Sequence, residues 1–119
     1  MIQVTPHMRI LVAREPLNFR CGIDGTVAHC RRVLEEDPMR GALFCFFNRR
    51  ATMVRILVYD GQGFWLLTKR LSTGHFHAWR GAPTDPPSSQ AILAHQLQTL
   101  VAAGDWTQLA CAPMFRKID

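Results

Sequence analysis

Five positively charged side chains lie in the middle of the sequence, among residues that are mostly apolar. The stretch 46–71 has a single acidic residue, Asp60. Arginine presents a rigid fork of N–H donors that fits the oxygens of a phosphate group. The pattern therefore predicts an anion-binding surface, and its candidate residues are Arg49, Arg50, Arg55, Lys69 and Arg70.

The excess positive charge of the chain is confined to this central region. Residues 38–84 contain seven Lys and Arg against one acidic residue, a net charge of +6, whereas the whole chain carries +5. A segregated positive field favours an anionic polymer such as nucleic acid as the partner. Arginine outnumbers lysine by twelve to two, however, and a solvated basic face in an arginine-rich protein explains the same charge. Composition alone leaves both interpretations open.

Catalysis and metal binding have less support in the sequence. Enzymes that cleave phosphodiesters commonly use carboxylates to hold two metal ions. Here Asp24 and Asp60 occupy positions typical of a helix cap and a turn, and the three successive acids at 35–37 lie at a predicted helix end. His75 and His77 share a predicted strand face, but two ligands do not complete a metal site. We therefore expect no enzymatic activity, no metal and no cofactor.

The four cysteines are far apart, and none forms a C-x-x-C pair. Structural zinc sites usually show such close pairs, so a zinc site is not indicated. We interpret the cysteines as small core residues: Cys21, Cys30, Cys45 and Cys111.

Hydrophobic spacing predicts two helices and four or five strands. The first helix is expected to start at Asp24 as N-cap and to stop before Pro38, with Ile23, Val27, Cys30 and Leu34 as its apolar stripe. The last helix is expected to start at Ser88 or Ser89 and to end at Gly104, with the stripe Leu93, Leu97, Leu100 and Val101. Strands are predicted at 8–13, 42–47, 53–60 and 63–71, with a further short strand at 75–79.

A glycine-containing turn at 60–63 predicts that the third and fourth strands form a hairpin. If Tyr59 pairs with Phe64, Arg55 lies opposite Thr68, and side chains alternate between two faces. One face carries arginines with aromatic rings that could stack on unpaired bases, and we expect it to be exposed: Met53, Arg55, Leu57, Tyr59, Phe64, Leu66, Thr68 and Arg70. The other face is expected to pack on the helices: Val54, Ile56, Val58, Trp65, Leu67, Lys69 and Leu71.

Helices at either end of an antiparallel meander predict an α+β fold, with a small antiparallel sheet packed against two helices in two layers. The core is expected to include Val27, Leu34, Leu93, Leu97 and Leu100. We treat residues 1–119 as one domain. No apolar run reaches the length of a membrane span, and the first residues lack a secretory signal pattern, so a cytoplasmic protein without membrane contact is expected.

Several motifs together resemble a known family. The sequence is similar to the accessory proteins encoded beside the transposase in insertion sequences of the IS-sixty-six type, often called TnpB. The matching elements are PLNFRCGIDG (16–25), LEEDPMRGALFCFFNRR (34–50), RILVYDGQGF (55–64), KRLSTGHF (69–76), and a late leucine-rich helix before GDW (104–106).

The resemblance implies a non-catalytic role in DNA transposition, with the recombination chemistry belonging to a separate transposase. Two function classes then remain open. The first is an accessory module that contacts DNA through the basic sheet face. The second is an adaptor that docks on the cognate transposase without touching DNA. The oligomeric state does not follow from the sequence.

Overall fold

The computed structural model describes residues 8–78 and 87–107. Within these ranges five strands and two α-helices follow one another along the chain. They are β1 (Ile10–Ala13), α1 (Gly22–Arg32), β2 (Leu43–Phe47), β3 (Met53–Tyr59), β4 (Phe64–Arg70), β5 (Ser89–Ile92) and α2 (Ala94–Val101). Single turns of 3-10 helix precede α1 at Phe19–Cys21 and β2 at Pro38–Arg40.

The strands form one mostly antiparallel sheet in the order β4-β3-β2-β1-β5. Only the β1–β2 pair is parallel among the pairings of the described strands, and α1 makes the connection between these two strands. The remaining neighbours are antiparallel. This architecture confirms the predicted α+β fold with a central hairpin.

The register of the hairpin is the predicted one. Tyr59 lies opposite Phe64, Arg55 opposite Thr68 and Met53 opposite Arg70. Asp60 fixes the turn, because its Oδ1 accepts hydrogen bonds from the backbone N–H groups of Gln62 and Gly63, both at 2.9 Å. The register matters for function, since it decides which charged side chains share a face.

The two helices cover opposite faces of the sheet, so the predicted two-layer packing and single helix-facing core are wrong. On the α1 side, one buried cluster contains Leu11, Ala13, Leu17, Val27, Cys30, Leu34, Ala42, Phe44, Phe46 and Leu57. On the α2 side, a second cluster contains Ile10, Val12, Leu43, Cys45, Phe47, Val54, Val58, Phe76, Ile92, Leu97, Leu100 and Trp106. Strands β1 and β2 are buried on both faces, which explains their unbroken apolar runs.

Four apolar residues predicted to face the core are exposed. Trp65 and Leu67 are each 44% exposed, and both lie on β4, an edge strand of the sheet. Leu93 is 39% exposed and precedes α2 as its N-cap, and Ile23 is 41% exposed in the first turn of α1. The alternation along β4 was predicted correctly, but the prediction that the face with Trp65 and Leu67 is buried against the helices was wrong.

The predicted start points of both helices are also wrong. The first helix begins at Gly22, which places Asp24 inside its first turn instead of at the cap. Ser89 belongs to β5, which pairs with β1, and Leu93 is the N-cap of α2. There the side chain of Gln96 accepts a hydrogen bond from the Leu93 N–H at 2.8 Å, the role that a glutamate or glutamine at this position has in a capping box.

The predicted strand at 75–79 is not formed over residues 75–78, and Trp79 lies outside the described residues. Trp106, for which no structural role was predicted, is 1% exposed in the α2-side cluster. Its indole Nε1 donates to the carbonyl of His77 at 2.6 Å. This bond ties the end of the described chain to the segment after β4.

Two of the four cysteines are small core residues, as predicted. Cys30 and Cys45 are both fully buried, and burial raises the pKa of each thiol to about 12. Cys21 is exposed, contrary to expectation, and Cys111 lies outside the described residues. No helix in the described ranges is both long and apolar enough to cross a membrane.

Candidate nucleic-acid interface

The turn between β2 and β3 presents Arg49 and Arg50 to solvent on a tightly bonded backbone. The side chain of Asn48 organises it, because its Oδ1 accepts from the N–H groups of Thr52 at 2.9 Å and Met53 at 3.0 Å. Its Nδ2 also donates to the Thr52 hydroxyl at 2.9 Å. The two arginines therefore project from a turn whose shape is fixed by its own residues.

Residues that follow β4 in the chain also form backbone hydrogen bonds with this turn. The N–H of Leu71 donates to the Thr52 carbonyl at 3.0 Å, and the N–H of Phe76 donates to the Ala51 carbonyl at 2.6 Å. Ala51 has a φ of 56°, a left-handed conformation that alanine rarely adopts. These bonds keep the turn in that conformation.

A second loop, residues 16–20, lies beside this turn. It is attached to the end of β2 because the Leu17 N–H donates to the Phe47 carbonyl at 2.9 Å. Asn18 caps the following 3-10 turn, with its Oδ1 accepting from the Arg20 N–H at 3.0 Å. The loop thereby places Phe19 and Arg20 next to strand β3.

Arg55 lies between the loop and the sheet, and it is not on an open surface as predicted. Its side chain is only 9% exposed, because the Phe19 ring covers it with its centroid 4.3 Å from the guanidinium carbon. The Nε donates to the Thr68 hydroxyl at 3.2 Å. The Nη1 is buried and has no hydrogen-bond acceptor among the described residues.

Burial lowers the pKa of Arg55 from its ordinary value, because desolvation disfavours the charged form. The guanidinium nevertheless stays charged at neutral pH, as arginine does in proteins. Within the described chain no carboxylate lies within ion-pair distance of Arg55, whereas Arg9 pairs with Glu36 and Arg31 with Asp37. Arg55 is therefore a largely buried positive charge without a counter-ion in the described protein.

The loop, the turn and strand β3 together enclose an open cleft of about 810 Å³. We call it the arginine cleft. Among the described residues, four arginines and no acidic residue line it, so this part of its wall carries a net positive charge. The lining residues are Pro16, Leu17, Asn18, Phe19, Arg20, Asn48, Arg49, Arg50, Met53 and Arg55.

The structure brings three of the five predicted site residues into this cleft: Arg49, Arg50 and Arg55. Arg70 is exposed and lies directly opposite Met53, a residue of the cleft wall, so it borders the cleft. Lys69 lies on the other face of β4, where its Nζ donates to the Val101 carbonyl at the end of α2, at 2.6 Å. It therefore does not belong to the same surface as the arginines.

Besides Asn48, sequence reasoning missed the five cleft residues that the loop contributes: Pro16, Leu17, Asn18, Phe19 and Arg20. They are distant in sequence from the charged hairpin, and no periodic pattern connects them to it. The signal that contained them was the PLNFRCGIDG segment, which contributed to the family resemblance. Tyr59 and Phe64, the predicted stacking rings, pack against each other with centroids 5.0 Å apart and lie outside the cleft lining.

Metal ligands do not converge in the part of the chain that the structure describes. No group of three or more His, Cys, Asp or Glu residues there is close enough to hold a metal ion. His75 and His77 are exposed. The absence of a catalytic or metal-binding role remains a prediction.

Comparisons with known proteins agree with the motifs. The family model described as "IS66 Orf2 like protein" matches residues 8–110. The chain is 34% identical over 119 residues to the uncharacterized protein y4jC of Sinorhizobium fredii, with 98% of this chain and 96% of y4jC covered. It is 32% identical over 106 residues to the uncharacterized protein y4hO of the same organism, with 89% of each chain covered. No solved structure matches.

The matched range contains every residue of the arginine cleft. The family is one of accessory proteins and is not known as a catalytic family. The chain therefore belongs to the IS66 Orf2-like family, whose members have an accessory role in the transposition of insertion sequences.

Proposed function

We propose that this protein is a non-catalytic accessory factor that contacts DNA during transposition, through the arginine cleft. One observation supports this most strongly: four arginines, Arg20, Arg49, Arg50 and Arg55, line a single cleft to which no described residue contributes a carboxylate. Unpaired arginines so close together repel one another, and an anion that enters between them removes that repulsion. DNA is the anionic partner that transposition provides, and we expect the protein to act in the cytoplasm.

The chemistry of the cleft suits phosphate groups. Guanidinium forks form paired, charge-assisted hydrogen bonds with phosphate oxygens. Because Arg49 and Arg50 stand on a pre-ordered turn, little conformational entropy is lost when they bind. Such contacts position a protein on DNA without reading its sequence. We therefore expect binding that is sensitive to salt and nearly independent of base sequence.

A salt titration of DNA binding tests this function. Labelled DNA of arbitrary sequence is titrated with the purified protein at several salt concentrations between 50 and 200 mM, and binding is followed by fluorescence anisotropy. With four cleft arginines in contact, log K should fall with log salt with a slope of about −3 to −4. If the protein shows no salt-sensitive binding even at the lowest salt, the proposed DNA contact is wrong.

A second candidate function is docking on the cognate transposase without DNA contact. The specific observation in its favour is the exposed apolar pair Trp65 and Leu67 on β4, which is an edge strand of the sheet. Edge strands and exposed apolar residues are frequent features of protein–protein interfaces. The adaptor function predicts that Leu67→Ser weakens co-purification with the transposase, and that the double variant Arg49→Gln/Arg50→Gln does not.

A further inference from the structure

The arginine cleft is concave, and its depth bears on the form of DNA that it takes. We propose, on the basis of the function proposed above, that the cleft binds an unpaired nucleotide of single-stranded DNA. Its phosphate contacts the arginines, and its base packs against Phe19. Duplex DNA does not reach the floor of the cleft.

The position of Arg55 determines whether single-stranded or duplex DNA can reach it. This arginine is nine-tenths buried at the floor of the cleft, whereas Arg49 and Arg50 are exposed at its rim. Duplex DNA is a stiff rod with a persistence length of about 50 nm, so it contacts the rim but does not enter. A single strand is flexible enough to insert one nucleotide. The cleft volume of about 810 Å³ lies within the usual range of small-ligand sites.

The lining of the cleft is more apolar than a pure phosphate site requires. Pro16, Leu17, Phe19 and Met53 stand beside the arginines. Apolar and aromatic walls suit a nucleobase, because every base has a flat π-face that stacks on aromatic side chains. Phe19 is half-buried and lines the cleft, so part of its ring is accessible to such a base.

Because Arg55 and Phe19 are in contact, one nucleotide can bind both, with its phosphate on the arginine and its base on the ring. The guanidinium lies 4.3 Å from the ring centroid, a cation–π distance. Its Nη1 is a buried donor without an acceptor among the described residues. Buried donors left unpaired are unfavourable, and an inserted phosphate oxygen is a strong acceptor for this group.

Binding to two matched probes tests the inference. A labelled 15-nucleotide deoxythymidine strand, which cannot pair with itself, is compared with a 15-base-pair duplex of mixed sequence. The wild-type protein should bind the single strand about tenfold more tightly than the duplex, in line with the stacking contribution of one base. Phe19→Leu should weaken binding of the single strand more than binding of the duplex, and so remove most of this preference.

Phe64→Leu is the control for Phe19→Leu. It makes the same chemical change in another half-buried ring on the α1 side of the sheet, and it lies outside the cleft. It should change the affinity for neither probe. Equal affinity for both probes, or an equal effect of the two variants, overturns the nucleotide-binding inference while the proposed DNA contact stands. Absence of salt-sensitive binding to either probe overturns both.

Photo-crosslinking gives a second readout that needs no variant. A single strand containing 5-bromodeoxyuridine is irradiated with the wild-type protein, and the crosslinked peptides are identified by mass spectrometry after trypsin digestion. Trypsin releases Phe19 in the peptide of residues 15–20. Crosslinks in this peptide support the inference. Crosslinks found only in other peptides contradict it.

Discussion

The guanidinium carbon of Arg55 lies 4.3 Å from the centroid of the Phe19 ring, and this contact joins the loop after β1 to the middle of strand β3. It has two consequences. The ring covers a charged side chain that a strand pattern would place in solvent. The covered charge also forms the floor of a cleft whose rim carries two further arginines, Arg49 and Arg50.

Changes at Arg55 separate its charge from its packing. Arg55→Met keeps an apolar stem beside Phe19 and removes a buried charge. We therefore expect its free energy of unfolding to be at most about 1 kcal/mol lower than that of wild type, or to exceed it. Arg55→Ala also removes the stem and should lower it by about 1–3 kcal/mol. Urea denaturation measures both. Equal losses for the two variants would show that the guanidinium contacts dominate. Both variants should weaken DNA binding.

The adjacent residues Lys69 and Arg70 lie on opposite faces of β4 and should behave differently. Arg70 borders the arginine cleft, so Arg70→Ala should reduce the salt slope of DNA binding by about 0.7–0.9. Lys69 bonds to the last turn of α2 instead, so Lys69→Ala should leave the slope unchanged and lower stability by about 0.3–1 kcal/mol. A loss of slope in the lysine variant equal to that in the arginine variant would contradict this assignment.

The turn at Asp60 should make part of the stability depend on acid. Hydrogen bonds from the N–H groups of Gly63 and Gln62, and from the Trp65 indole, lower the pKa of Asp60 from 3.8 to about 2. The unfolded chain therefore takes up the proton first. The stabilisation is complete above pH 4 and disappears as the pH falls to about 2.

Asp60→Asn tests this turn, because the amide nitrogen of asparagine cannot accept the Trp65 indole proton. The variant should have a lower Tm than wild type at pH 7. The difference should shrink between pH 4 and pH 2, as measured by thermal denaturation followed by circular dichroism. A difference that is constant over this interval would show that Asp60 acts by something other than its charge.

His29 predicts a second pH effect in a higher range. Its side chain is 6% exposed, its Nε2 has no partner among the described residues, and burial lowers its pKa from 6.5. As the pH falls below 6.5 the unfolded state binds the proton before the folded state, so stability decreases and then levels off below the folded pKa. His29→Leu should abolish the decrease between pH 6.5 and 5. His75→Leu, which changes an exposed histidine, should retain it.

The hairpin could be predicted from the sequence because its information is local. The glycines of the 60–63 turn and the alternation on either side fix the pairing of Tyr59 with Phe64, and every other pair follows. Strand β2 was also evident, since an aromatic run of this length suits a strand buried on both faces.

The side of the sheet that each helix covers could not be predicted from such patterns. Because α1 and α2 lie on opposite faces, both faces of β3 are partly buried, and its alternation does not identify a solvent side. Strand β5 escaped prediction for another reason. Its sequence, SQAI, is short and partly polar, and its pairing with β1 is a long-range contact that local propensity does not encode.

The part of the candidate site that depends on local sequence was predicted, and the part that depends on long-range contacts was not. Arg49 and Arg50 follow a strand directly, so their position in a turn was apparent from the chain. The burial of Arg55 depends on Phe19, which a loop brings from far away in sequence. Lys69 was grouped with the arginines by its charge alone, whereas alternation places it on the opposite face.

The central claim is that the arginines of the cleft contact DNA, and the double variant Arg49→Gln/Arg50→Gln tests it most directly. Its control is Arg31→Gln/Arg32→Gln, which removes the same charge from another exposed arginine pair, at the end of α1 and outside the cleft. Salt titrations of DNA binding are compared for both variants. We predict that the cleft variant loses about 1.4–1.8 units of slope and the control less than about 0.5. Equal losses in the two variants, or none in the cleft variant, would contradict the account.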